Sequence, residues 1–181
     1  MLKAVVIKAY NFSEKAHEGV ERKFSGLPYF THPKFVARTI EHLTKDATLI
    51  AVGFLHDVIE DTDTMYDELV IEFGMEIANL VQEVTSDDNE MKLMGGKRIY
   101  MANKVLNMSE RALIIKLADR YHNVLFLESD TTPLSFITKY YKETRFVLDE
   151  LTAGRELNNI HEALIKRIEA ILAFLKIRYD F

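Results

Sequence analysis

Apolar residues recur along nearly the whole chain at spacings of three and four, the pattern of helices with one buried face. Over residues 3–18, Val5, Val6, Ala9, Phe12 and Ala16 mark one broad face, and Gly26 and Pro28 then break the pattern. Thr31 is placed to cap a second helix, with Pro33 in its first turn, where a missing N–H costs little. That helix runs to about Leu43, with Phe35, Val36, Ile40 and Leu43 inward. Asp46 is placed to cap a third over about 47–61, which is apolar nearly all round and therefore central. Thr64 and Asp67 resemble a capping box for a short helix that Gly74 ends. Further helices are expected over about 75–85, 97–107, 110–128, 133–152 and 156–178, bounded by Ser109, Thr132-Pro133 and Gly154. Residues 86–96, with Gly95-Gly96, read as the one loose stretch. No repeat or linker interrupts the pattern. It predicts an all-α fold, a single domain over 1–181 built as a bundle of about eight to ten helices.

Composition narrows the chemistry. The 181 residues include no cysteine, so disulfides, thiolate metal sites and cysteine nucleophiles are excluded, and a reducing cytoplasm fits. Seven Gly and three Pro suit long helices better than many short strands. Lys and Arg number 23 against 28 Asp and Glu, a net charge of −5 that argues against a nucleic-acid polymer or a membrane surface as partner. A small polyanionic substrate is still allowed. No apolar run approaches the roughly 20 residues of a membrane span. Val5-Val6-Ile7, between Lys3 and Lys8, is too brief for a secretory signal.

The central helix ends in His56-Asp57-Val58-Ile59-Glu60-Asp61. At about 100° per residue of a continuous helix, His56, Asp57, Glu60 and Asp61 share an arc of about 140°, with Val58 and Ile59 outside it. Three carboxylates at a helix C-terminus repel one another and oppose the helix dipole, so they call for a cation. A divalent ion is one answer; a solvated acidic end with a chance histidine is the other. Asp119 lies inside the apolar run Ile115–Arg120, with Lys116 and Asn123 on its face. A metal would satisfy it, and so would Lys116 or Arg120 as an ion-pair partner.

Three segments together carry a resemblance: Arg22-Lys23-Phe24-Ser25-Gly26-Leu27-Pro28-Tyr29-Phe30-Thr31-His32-Pro33, His56–Thr62, and Lys116-Leu117-Ala118-Asp119-Arg120-Tyr121-His122-Asn123. A His-Asp doublet with a preceding His and a distant Asp is the pattern of the HD metal-dependent phosphohydrolases. In this order the three segments resemble the hydrolase domain of the RelA/SpoT family, and its short stand-alone Mesh1-type alarmone hydrolases in particular. The resemblance covers roughly residues 5–175. It implies one divalent ion, most often Mn²⁺, held by His32, His56, Asp57 and Asp119. Glu60 and Asp61 would position or activate the attacking water. Arg22, Lys23, Lys97, Asn123 and Tyr140 would contact the nucleotide, with Arg98 beside Lys97. The implied reaction is hydrolysis of guanosine 3′,5′-bis(diphosphate), or its pentaphosphate counterpart, to GDP or GTP and pyrophosphate. Val20 and the Gly95-Gly96 run depart from the family pattern.

Read without the resemblance, Arg22-Lys23 is ordinary loop charge, and Tyr140 belongs to a helical stripe with Phe136. His17, His42, His122 and His161 read as structural. Two other functions are compatible with the chain: an HD phosphohydrolase acting on another nucleotide, including the 2′-phosphate of NADPH, and a catalytically silent alarmone-binding regulator. The complete ligand set speaks against the second.

Overall fold

The computed structural model describes residues 4–129 and 131–181; Lys3, where the first helix was expected to begin, lies outside them. Among the described residues the chain forms eleven helical segments and only one isolated β-bridge. They are α1 (Ala4–Ala16), α2 (Thr31–Leu43), α3 (Ala47–Leu55), α4 (Val58–Asp61), α5 (Tyr66–Phe73), α6 (Met75–Val84), α7 (Asp88–Leu93), α8 (Lys97–Asn107), α9 (Glu110–Leu125), α10 (Leu134–Gly154) and α11 (Asn159–Tyr179). The fold is all-α, as the periodicity requires.

The helix that carries the most apolar sequence occupies the middle. In α3 every residue from Leu49 to Leu55 is buried, with α1 and α2 packed against it. Helix α9 lies against α2 and α11, and α8 against α10. The buried apolar side chains make one continuous cluster. Asp46 caps α3 by accepting from the backbone N–H of Thr48 and Leu49, at 2.8 and 3.3 Å. Ser109 caps α9 through Ala112 N–H at 3.2 Å. Both caps follow from side-chain oxygens satisfying N–H groups that have no helical partner.

Several boundaries differ from expectation. The run 47–61 is two helices, because His56 and Asp57 form a turn between α3 and α4. Asp57 sits at φ −104°, ψ −2°, between the helical and extended regions, and the His56 ring donates to the carbonyl of Gly53. The four polar residues therefore do not lie on one regular helical arc. Thr31 caps nothing: its hydroxyl donates to the Pro28 carbonyl at 2.8 Å, and the N-cap position falls to Phe30. The Thr64–Asp67 capping box is absent, since Met65 precedes α5 and Thr64 accepts from the Thr62 hydroxyl. The loose stretch contains α7, whose cap is Asp87, accepting from Asn89 and Glu90 N–H. Helix α10 runs on through Gly154, and α11 begins at Asn159 under a capping box formed by Asn158 and His161.

Between α1 and α2 the chain makes a narrow hairpin-like loop. Arg22 N–H donates to Leu27 O at 2.7 Å, Tyr29 N–H to Val20 O at 2.8 Å, and Glu21 pairs with Pro28. Phe24, at φ +70°, turns the tip of the loop. The Phe24 carbonyl accepts from the Thr131 hydroxyl, which ties the tip to the segment before α10.

Candidate metal centre and substrate cleft

Residues from three places in the chain meet at one cleft of about 580 Å³, with His32, Asp57 and Asp119 in its wall and His56 buried beside them. Helix α2 supplies His32, the α3–α4 turn His56 and Asp57, and α9 Asp119. One ligand atom from each of His32, His56 and Asp119 lies within 4.8 Å of the others, and all three residues are buried. Asp57 joins them: its Oδ2 is 3.2 Å from His32 Nε2 and 3.1 Å from His56 Nε2.

The hydrogen bonds fix what each ring offers. His56 Nδ1–H donates to Gly53 O at 2.9 Å, which turns Nε2 toward the centre. His56 Nε2, Asp57 Oδ2 and Asp119 Oδ1 then surround His32 Nε2 at 3.2, 3.2 and 3.3 Å. Burial disfavours a charged His32, but hydrogen bonds to Asp119 and Asp57 outweigh it and raise its pKa to about 9. Burial works equally against the carboxylates. His56 and His32 nevertheless hold Asp57 well below the usual range, and Lys116 and His32 do the same for Asp119. Lys116 Nζ lies 3.3 Å from Asp119 Oδ2, so the ion-pair partner and the metal-ligand geometry occur together. The donor set, two imidazoles and two ionised carboxylates converging on one point, fits a divalent cation with coordination positions left open.

Around this centre stand the residues expected to act on water. The single Tyr29 O–H proton is shared between Asp61 Oδ2 and Asp57 Oδ2, the latter at 2.9 Å, so one phenol joins a candidate ligand carboxylate to Asp61. Burial and the neighbouring carboxylates push the Tyr29 pKa far up, keeping the phenol a donor. Burial, followed by the charge of Asp57, raises Asp61. Glu60 lines the cleft from α4, and its Oε2 accepts from Ser86 N–H at 3.0 Å. The side chain best tied to the centre is therefore Asp61, whereas a regular helix would have favoured Glu60.

The rim is basic and aromatic. Arg22, Lys23, Lys97, Asn123 and Tyr140 all line the cleft, as do Lys116 and Arg120. Arg22 donates to Asn123 Oδ1 at 3.3 Å, and Asn123 Nδ2–H to Asp119 Oδ1 at 2.5 Å. Phe24, Phe136 and Tyr140 form an aromatic series with centroids 5.0 and 5.9 Å apart, with the Lys23 ammonium 5.0 Å from the Phe24 ring. Arg120 lies over Tyr140 at 4.8 Å. Arg98 is not part of this wall; its guanidinium covers the Phe146 ring at 4.6 Å, because its neighbour Lys97 takes the cleft-facing side of α8.

Residues 9–156 match the HD domain family. The chain belongs to the HD domain family. Among its HD relatives it is 35% identical over 131 residues to the guanosine-3′,5′-bis(diphosphate) 3′-pyrophosphohydrolase MESH1 of Xenopus tropicalis, spanning 71% of this chain and 72% of that one. It is 36% identical over 124 residues to the enzyme of the same name from Homo sapiens, spanning 67% of this chain and 68% of that one. A solved structure, of a metazoan ortholog of SpoT that hydrolyses ppGpp, superposes with a TM-score of 0.78 at 24% identity, covering 94% of this chain and 95% of that one. At that identity the superposition establishes the HD fold.

One histidine and a tyrosine stand apart from the sequence reading. His122, expected to be structural, lies against both His32 and Arg22 in the cleft wall, because α9 crosses α2 there. Tyr29 sits within the first of the three matching segments, and nothing in its spacing marks its reach to Asp57 and Asp61. His17 is buried behind Tyr29, ring on ring at 5.0 Å, which is the structural place expected of it.

Proposed function

We propose that this chain is a metal-dependent 3′-pyrophosphohydrolase of guanosine 3′,5′-bis(diphosphate), releasing pyrophosphate and GDP, or GTP from the pentaphosphate. One observation carries the reading: His32, Asp57 and Asp119, with His56 buried against them, share one cleft with five bases, Arg22, Lys23, Lys97, Lys116 and Arg120. Such a cleft suits a ligand with phosphates on two sides of a sugar that also carries a planar base. The HD relatives named above act on that substrate by name.

His32, His56, Asp57 and Asp119 would hold the ion, with Mn²⁺ the proposed occupant. A divalent cation supplies Lewis acidity for the water and for the phosphate charge when bound there. The chain's own residues do the rest. Asp61, held by Tyr29, accepts the proton of the attacking water, while Glu60 orders the opposite side of the cleft through Ser86. Arg22 and Lys23 take phosphate oxygens, Arg22 as a fork and Lys23 as a point charge. The Phe24–Phe136–Tyr140 series offers a flat face to guanine, and Asn123 spaces Arg22 from Asp119. The cytoplasm is the proposed compartment, on the strength of the cysteine-free composition.

The test is to incubate the Mn²⁺-loaded protein with guanosine tetraphosphate and resolve the products by ion-exchange chromatography. Equal yields of GDP and pyrophosphate are expected. Cleavage of NADPH to NADH and phosphate, with guanosine tetraphosphate untouched, would replace the substrate but keep the chemistry. Tight binding without turnover would make the chain a regulator.

A further inference from the structure

His122 is 3% exposed, yet it is bonded to groups from two other parts of the chain. Its Nδ1 lies 2.6 Å from His32 Nδ1 and 2.8 Å from an Arg22 guanidinium nitrogen. A guanidinium only donates, so His122 Nδ1 is an acceptor and carries no proton. His32 Nδ1 must then be the donor in the other bond. A single lone pair therefore receives two N–H groups, one from a metal-ligand candidate and one from a phosphate-binding candidate. The ring is held in place for this by Phe35 at 4.4 Å and Phe126 at 4.7 Å between centroids.

We propose that His122 is a positioning residue that serves both halves of the site: through its Nδ1 lone pair it aims His32 Nε2 at the metal position and holds Arg22 at the phosphate position. The assignment rests on the metal and phosphate roles given above to His32 and Arg22. Partners of this kind orient the ring of a metal-bound histidine, and their loss typically costs about 10–100-fold in metal affinity. His122 has a further consequence, because its second bond reaches across the cleft to Arg22. Removing the acceptor loosens Arg22 as well, and substrate affinity falls with metal affinity.

Two substitutions separate the lone pair from the bulk of the ring. His122→Phe keeps an aromatic ring between Phe35 and Phe126 and removes the acceptor. His122→Asn loses ring volume but places an amide oxygen near the position of Nδ1. Metal-free full-length variants are titrated with Mn²⁺ by calorimetry, a measurement that needs no substrate and so stands even if the proposed substrate is wrong. The expected result is an affinity loss of about 10-fold or more for His122→Phe, with His122→Asn within about threefold of the unsubstituted protein. With the substrate proposed above, KM of His122→Phe rises about fivefold, the worth of one hydrogen bond, while Arg22→Ala raises KM and leaves Mn²⁺ affinity unchanged. Unchanged Mn²⁺ affinity in His122→Phe would overturn the proposal, because packing would then be the whole role of the ring. Equal losses in the two variants, with thermal midpoints matching the unsubstituted protein, would overturn the lone-pair assignment. If His122→Phe does not fold, His122→Leu replaces it in the same comparison.

Discussion

Gly53 of α3 crosses α2 directly over Ala37: a Cβ added to Gly53 would lie 2.8 Å from the Ala37 Cα and 3.0 Å from Ile40 Cδ1. This crossing brings the helix of His32 against the helix that leads to His56, and Gly53 O is also the acceptor that orients the His56 ring. Backbone meets backbone there, so an added methyl has nowhere to go. Gly53→Ala is expected to destabilise the fold by about 1–3 kcal/mol, the usual cost of overpacking. Thermal unfolding reads the loss, at about 2–4 °C per kcal/mol for a chain of this size. Mn²⁺ affinity should fall with it, because the two imidazoles are forced apart.

Asp119 and Asp61 are expected to separate metal binding from rate. Asp119→Asn removes a buried charge that faces the ligand cluster and should cost metal occupancy and activity together, as read by elemental analysis after desalting. Asp61→Asn should keep the metal and lose about 10²-fold or more in kcat, the range for loss of a general base. Loss of metal in both variants would show that Asp61 is a ligand instead.

Tyr29→Phe deletes one hydroxyl and preserves the stack on His17. Without that donor Asp61 is free to turn toward solvent, and Asp57 loses a hydrogen bond. A drop of about 10-fold in kcat is expected, in line with about 1.5–3 kcal/mol for a bond to a charged group. KM should change little, since the Tyr29 hydroxyl bonds to Asp57 and Asp61 rather than to the bases proposed to hold phosphate.

Acid should weaken the fold through His161. In the native state its Nε2–H donates to Glu110 O at 2.9 Å and its Nδ1 accepts from Asn158 N–H at 3.3 Å, so both nitrogens are used by the neutral ring. Burial lowers its pKa below 6.5. The unfolded chain therefore takes up protons that the native chain refuses. Stability from this group is complete above about pH 6.5 and falls as pH drops below that value. His161→Gln should be less stable at pH 7.5 and show a flatter decline in thermal midpoint between pH 7 and 5. His122, held down to about 2 by burial and by His32 and Arg22, contributes in the same direction.

Helix α8 was legible to the residue, over 97–107, because Gly96 and Ser109 punctuate it and its apolar face repeats without a break. The break between α3 and α4 was not. Apolar spacing runs unbroken through His56 and Asp57, and the turn comes from a side chain taking a backbone acceptor, which leaves no mark on periodicity. Thr31 and Thr64 failed as caps for a related reason: each hydroxyl found a nearer partner in its own turn. Asp119 could be picked out as a charge among apolar neighbours, but its link to Arg22 by way of Asn123 joins residues about a hundred positions apart. Only the folded chain brings them together.

The groups gathered round His32 Nε2 carry a last consequence. Asp57 and Asp119 are buried there beside His32 and Lys116, whose positive charge offsets theirs in the folded chain. In the proposed scheme a dication entering the cluster would displace the proton on His32, so loading would be an exchange of one cation for another, and acid should compete with the metal.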